Sequence, residues 1–249
     1  TGSGVALHAG TVINSTGGNV SVTGNGGTGG IANRGVTLFN NSLITAGGTG
    51  SVSVTGFGGD TAGINGFNET SAGVAILDNG IITSNSGAVT VTGTGGDANG
   101  TIAFSYGVRL ADTGATITSG GGNVSVTGTG GAVGLESYGV SLVRSLITAG
   151  GSGSVMVEGT GGSGQQYNEG VSLYSNSSIT SGGGAVTVIG LGGTGDPLTD
   201  NYGSAGIGVY NTGTSITSGG GNVVVTGTGG IGPTDNYGIW IWDGGQIIG

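Results

Sequence analysis

One phrase, Val-x-Val running into a glycine-rich turn, is written seven times along this 249-residue chain. It appears as GNVSVTGNGG from Gly18, GSVSVTGFGG from Gly50, GAVTVTGTGG from Gly87, GNVSVTGTGG from Gly122, GSVMVEGTGG from Gly153, GAVTVIGLGG from Gly184 and GNVVVTGTGG from Gly221. A fixed period constrains a fold more than any local propensity, because each unit must bury its apolar side against its neighbours. Two other anchors share the period. A Gly-Val-x-Leu motif or near relative leads with Val5, Val36, Val74, Val108, Val140, Val171, Ile207 and Ile239, each preceded by glycine. An isoleucine, usually followed by threonine, stands at Ile13, Ile44, Ile82, Ile117, Ile147, Ile179, Ile216 and Ile247.

The first anchor lies 7 to 9 residues before the second, and the second 7 or 8 before the third. The return to the next unit takes 16, 22, 19, 16, 16, 21 and 16 residues, so all the slack is in one place. Within each anchor apolar residues alternate with small or polar ones, the mark of strands with one buried face. Short strands in units of 31 to 38 residues predict an all-β fold, a right-handed parallel β-helix (β-solenoid) with one coil per repeat and three strands per coil. Residues 1–249 then form a single array of seven full repeats and a partial eighth, read as an excerpt of a longer array or a self-stacking unit. The 14 valines of the phrases should point inward, each worth about 1.5–3 kcal/mol on burial. Glycine in regular structure costs roughly 0.5–1 kcal/mol relative to alanine, so the 66 glycines are expected mostly in turns.

Charge closes several function classes. Twelve acids face only Arg34, Arg109 and Arg144, for a formal net charge of −9, so no basic stripe can be assembled for nucleic acid. No apolar run approaches the roughly 20 residues of a membrane span. Cysteine is absent, which fits an oxidising exterior as well as any other compartment.

Phrases such as YGVSLVRSLITAGGSGSV from Tyr138 and SITSGGGNVVVTGTGG from Ser215 resemble the repeat arrays of giant glycine-rich bacterial surface proteins, the filamentous haemagglutinin-like adhesins. The resemblance implies an extracellular or cell-surface structural role as a stalk, sheath or fibre, with copies of itself or further coils of the same chain as partners. It supplies no catalytic residues. The secretion domain typical of that family's amino end does not occur in these 249 residues. The competing class is an adhesin whose long corner loops at 57–72, 94–106 and 191–205 touch glycans or other cells.

Several residues are candidate sites. Alternation turns a series outward after the first anchor: His8, Phe39, Leu77, Ala111, Val143, Tyr174, Tyr210 and Trp242, with Trp240 beside it. Of these, Phe39, Leu77, Tyr174, Tyr210, Trp240 and Trp242 make a candidate interaction surface for rod-to-rod packing or sugar stacking; cover by the corner loops is the bland reading. Asp196, Asp200 and Asp235 are calcium candidates through carboxylate and carbonyl oxygens, with turn formation the more ordinary role. The same aspartates are the acid/base cluster available to a polysaccharide-cleaving enzyme. No lysine is present and the lone histidine, His8, sits at the amino end, so no enzyme and no cofactor are expected. The Ser/Thr rows outside the Val-x-Val strands suggest an ice-binding face, but Met156, Glu158, Ile189 and Val224 interrupt them. Asn-x-Ser/Thr triplets, at Asn19 and Asn123 among others, are expected by chance in such a composition.

Overall fold

A computed structural model describes residues 2–29, 31–61, 69–97, 103–132, 134–196 and 202–249. Among these residues there is no helix, and the chain winds as a β-solenoid of about seven turns of about 32 residues, with three sheets per coil. The first sheet holds Val5–Leu7, Val36–Leu38, Glu69–Leu77, Ala103–Ala111, Glu136–Val143, Val171–Tyr174, Ile207–Tyr210 and Ile239–Trp242. The second runs from Val12–Ser15 to Gln246–Ile248 through the isoleucine anchors, and the third from Val20–Asn25 to Val223–Thr228 through the Val-x-Val phrases.

Every pairing between successive coils is parallel, and the inward anchor positions place like on like: Val54 opposite Val91, Val91 opposite Val126, Ile44 opposite Ile82, Val140 opposite Val171. The interior is one continuous cluster built of Val, Leu, Ile and Ala. Twelve of the 14 phrase valines are buried in it and the other two, Val223 and Val225, pack against it. Strand alternation decides this: in Val52–Phe57 the residues Val52, Val54 and Gly56 are buried while Ser53 and Phe57 face solvent.

Most described glycines lie outside the strands, as expected, but two columns do not serve turns. One column, including Gly93 and Gly128, sits at the inward position two residues after the second valine of each phrase; a second precedes the first anchor, including Gly107 and Gly139. A Cβ on Gly93 would lie 2.0 Å from the Gly107 carbonyl oxygen, and one on Gly107 would lie 2.2 Å from the Thr129 amide nitrogen. At this corner the end of the third strand rests directly on the start of the next first-sheet strand, backbone on backbone. No side chain fits there.

Each corner has its own chemistry. Between first and second sheets the chain turns through left-handed conformations at Asn40 and Asn41, Asp78 and Asn79, and Ser175 and Asn176, with φ between 45° and 65°. Asn and Asp tolerate that region better than other side chains. Between second and third sheets Ser84, Ser119, Ser181 and Ser218 each donate to the carbonyl three residues on. Asn19 and Asn123 accept from the amides of Ser51 and Ser154 in the next coil, both at 2.9 Å. At the third corner the buried Ser71 hydroxyl donates to Gly59 at 2.7 Å and accepts from Gly96 at 2.9 Å, and Ser105 repeats the pattern one coil later with Gly96 and Gly131. Asp60 and Asp97 accept from the amides of Asp97 and Ala132, at 3.2 and 3.1 Å, so these carboxylates stitch coils together.

The corner loops are shorter than the sequence suggested. Strand structure begins at Glu69 and Ala103, inside the expected loops 57–72 and 94–106. The reason is lateral pairing: residues Glu69–Leu77 and Ala103–Ala111 extend the first sheet by hydrogen bonding to each other before either reaches its Val-x-Leu anchor.

Backbone contact at the glycine corner sets the first prediction. Gly128→Ala would overpack a closed corner and is expected to lower unfolding free energy by about 1–3 kcal/mol. Gly121→Ala, whose Cβ would enter open space, should change it by less than about 0.5 kcal/mol. Guanidinium melts of the two variants make the comparison.

Candidate functional site

The narrow aliphatic interior holds no aromatic ring among the described residues; rings gather instead on the outer face of the first sheet. A second apolar cluster forms there from Ala72, Ala75, Leu77, Tyr106, Ala111 and Tyr138, flanked by Phe39, Phe104, Val143 and Tyr167. The glycine before each anchor makes this possible. Pairing runs Tyr106 to Tyr138 and then Val108 to Val140, with no pairing at Gly107 and Gly139. Strict alternation would send Tyr106 inward with Val108. The interruption returns it to the outer face, where the Arg109 guanidinium lies 4.8 Å from its ring centroid, a favourable cation–π distance.

The rings form ladders along the solenoid axis. Tyr106 stacks on Tyr138 of the next coil at 5.6 Å between centroids, with Phe104 beside Tyr106 on the same strand at 6.4 Å. Tyr174 stacks on Tyr210 at 4.5 Å, and Tyr167 on Tyr202 at 4.6 Å. Trp240 meets Tyr210 edge-on at 5.4 Å and tilts against Tyr237 at 5.3 Å. In the column of Tyr174 and Tyr210 the preceding coil carries Val143 in place of a ring, and beside it Ser141 opposes Ser172. This leaves a pocket of about 360 Å³ lined by Tyr106, Glu136, Tyr138, Ser141, Val143, Tyr167 and Tyr174. A second pocket, of about 180 Å³, shares Tyr167 and Tyr174 and continues to Tyr210, Asn211, Trp240 and Trp242. Together they make a trench across five coils. The largest concavity, about 620 Å³ along the third corner, is lined mainly by Gly-Gly pairs from Gly130 to Gly230 and offers little beyond backbone.

Acidic groups lie in and under the trench. Glu169 is buried, and the Tyr210 hydroxyl donates to its carboxyl. Burial pushes its pKa up to about 7, against the pull of the Ser172 and Tyr210 hydroxyls. Glu136, partly exposed at the pocket, is also raised by burial, with the Tyr138 hydroxyl and Arg109 acting in the opposite sense. Burial raises Tyr106 to about 12 and also pushes Tyr138, Tyr174 and Tyr210 well above the usual phenol range, so these phenols stay protonated as donors. Farther along, Arg34 donates to the Thr70 hydroxyl at 2.7 Å, and burial followed by Arg109 lowers its pKa. The only carboxylate lining either pocket is that of Glu136.

The expected interaction surface is therefore partly corrected. Leu77 and Tyr210 are buried, at 7 and 4% exposure, because the outer ring layer covers the first and Trp240 and Tyr174 flank the second. Phe39, Tyr174 and Trp240 are half-buried, and Trp242 is open at 60%. Phe39 stands apart from the trench, edge-on to His8 at 5.7 Å. Sequence reasoning missed Tyr106, Glu136, Tyr138, Tyr167 and Glu169, which sit upstream of the anchor glycines where alternation is interrupted.

Asp200 lies outside the described residues. Asp235 occupies a left-handed turn and accepts from the Tyr237 hydroxyl at 3.1 Å, while Asp196 borders a shallow pocket with Gln165. Among the described residues no three His, Asp or Glu side chains converge as a metal site. The aspartates are also not the sole acid cluster, since Glu136 and Glu169 are close enough to interact.

Comparison with known proteins finds no matching family model, no matching curated protein and no matching solved structure.

Glu169 gives a pH prediction. Its carboxyl titrates near 4.5 when unfolded and near 7 when folded, so between these values the folded state holds a proton that the unfolded state has released. Stability is expected to fall as pH rises through that window, by about 3 kcal/mol at most, and to level off above it. Glu169→Gln should flatten this dependence in thermal melts at pH 4.5 to 8.

Proposed function

We propose that this chain is an architectural segment of an extracellular or cell-surface bacterial fibre, stalk or sheath, whose partners are copies of itself or further coils of the same chain. One observation carries the reading: all three sheets pair coil to coil in register, so the aliphatic columns are continuous along the axis. A coil held on both sides by backbone hydrogen bonds and stacked side chains is stiff, and its stability is the sum of repeat and neighbour terms. The low charge, 6% of residues, and the resemblance of the repeat phrases to giant surface arrays support an exported rod.

Side-by-side packing has a surface suited to it. On the outer face of the third sheet, Met156, Ile189, Leu191 and Val224 are 37 to 49% exposed on neighbouring strands, where the earlier coils present mostly Ser and Thr. Adjacent exposed apolar side chains of this kind mark association surfaces. The interruption of the Ser/Thr rows also weighs against ice binding.

Two measurements test the proposal. Antibody raised to the chain should label intact, unpermeabilised cells; label appearing only after permeabilisation would overturn the surface assignment. Sedimentation of the purified chain should show concentration-dependent association that Ile189→Lys with Val224→Lys abolishes, and association unaltered in the double variant would place the contact elsewhere.

A further inference from the structure

The trench on the first sheet lies outside the aliphatic columns of the interior, and its composition is specific. We infer that it is a binding site for an uncharged saccharide chain, laid along the solenoid axis from the pocket at Glu136 and Tyr174 toward Trp240 and Trp242.

Four features carry this. First, the ring ladder ends beside a pocket of about 360 Å³: Tyr174 is stacked by Tyr210 on one side and opposed by the smaller Val143 on the other. An inserted pyranose continues the stack, its apolar C–H face against the phenol ring. Second, the lining mixes those rings with the Glu136 carboxylate, the Ser141 hydroxyl and protonated phenols. Such a set both accepts from and donates to a ligand rich in hydroxyls, and a purely hydrocarbon guest would leave its polar groups unpaired. Third, the two pockets share Tyr167 and Tyr174 and extend along an axis whose coils repeat every ~4.8 Å. That spacing is comparable to one sugar residue, so a polymer laid along the axis advances about one coil per residue. Fourth, the only carboxylate in the lining is an acid on a chain of net charge −9, which disfavours uronic-acid or sulfated polymers. This inference is independent of the architectural role, since an isolated rod would carry the trench equally.

The chain provides its own reporter. Its two tryptophans, Trp240 and Trp242, both line the trench. Intrinsic fluorescence of the full chain would be titrated with soluble hydroxyethylcellulose, galactomannan, mannan, dextran and β-1,3-glucan, with polygalacturonate as the anionic arm and choline as the cationic one. At least one uncharged polymer should produce a saturable change, with no response to polygalacturonate. Val143→Phe, which grows into the gap while removing nothing, should weaken that binding at least tenfold, read by affinity electrophoresis. Glu136→Gln should weaken it by at least threefold while leaving the circular dichroism spectrum unchanged, and it serves as the test if the Phe variant misfolds. Silence across all the uncharged polymers overturns the inference. So does a response to choline or polygalacturonate alone, or binding that neither substitution alters.

Discussion

Backbone resting on backbone at the glycine corner is the contact on which the remaining structure depends. Where Gly93 meets Gly107 and Gly128 meets Gly139, the end of the third strand closes onto the start of the next coil with no side chain between them. The cross-section drawn in by this closure is narrow enough for one layer of Val, Leu and Ile from each sheet to fill it. Dense packing then follows from repetition, since each side chain lies over its equivalent one coil away. In ordinary cores close packing needs a search over many shapes; here one solution is reused at every step.

The same narrowness sorts the residues by size. Large rings have no place inside, so Tyr106, Tyr138, Tyr174, Tyr210 and Trp240 lie on the outer face, where they stack on one another. A second layer results, thick enough to bury Leu77 and Glu169. The few charges of the chain become consequential in that layer, because neighbouring rings exclude water from them. Glu169 is held by Tyr210, and Arg109 lies over Tyr106.

Much of this was legible in the residues themselves. The period, the three strands per unit, the inward valines and the in-register stacking follow from the spacing of Val52, Val54 and Ile44 and their counterparts, because strand alternation and repetition leave little freedom. The trench was legible only in part. Tyr174, Trp240 and Trp242 follow the anchor and obey alternation, so their outward direction could be read. Tyr106, Tyr138 and Glu169 precede the anchor glycine, and a period-two rule sends them the wrong way. The signal available was the glycine itself: one fixed immediately before every strand anchor marks a place where regular pairing stops. The two glycine columns at the closed corner were missed for a related reason. Their composition speaks of turns, whereas the close approach of two strands is a property of the closed coil that no local window contains.

The uneven return path, 16 to 22 residues from one phrase to the next anchor, has an evolutionary corollary. Length can change at that single corner without shifting the register of any sheet, so insertions there are decoupled from the core. Strands Glu69–Leu77, Ala103–Ala111 and Glu136–Val143 emerge from this same corner and carry Tyr106, Glu136 and Tyr138 into the trench. A lineage could therefore diversify what the surface meets, coil by coil, while inheriting an unaltered scaffold.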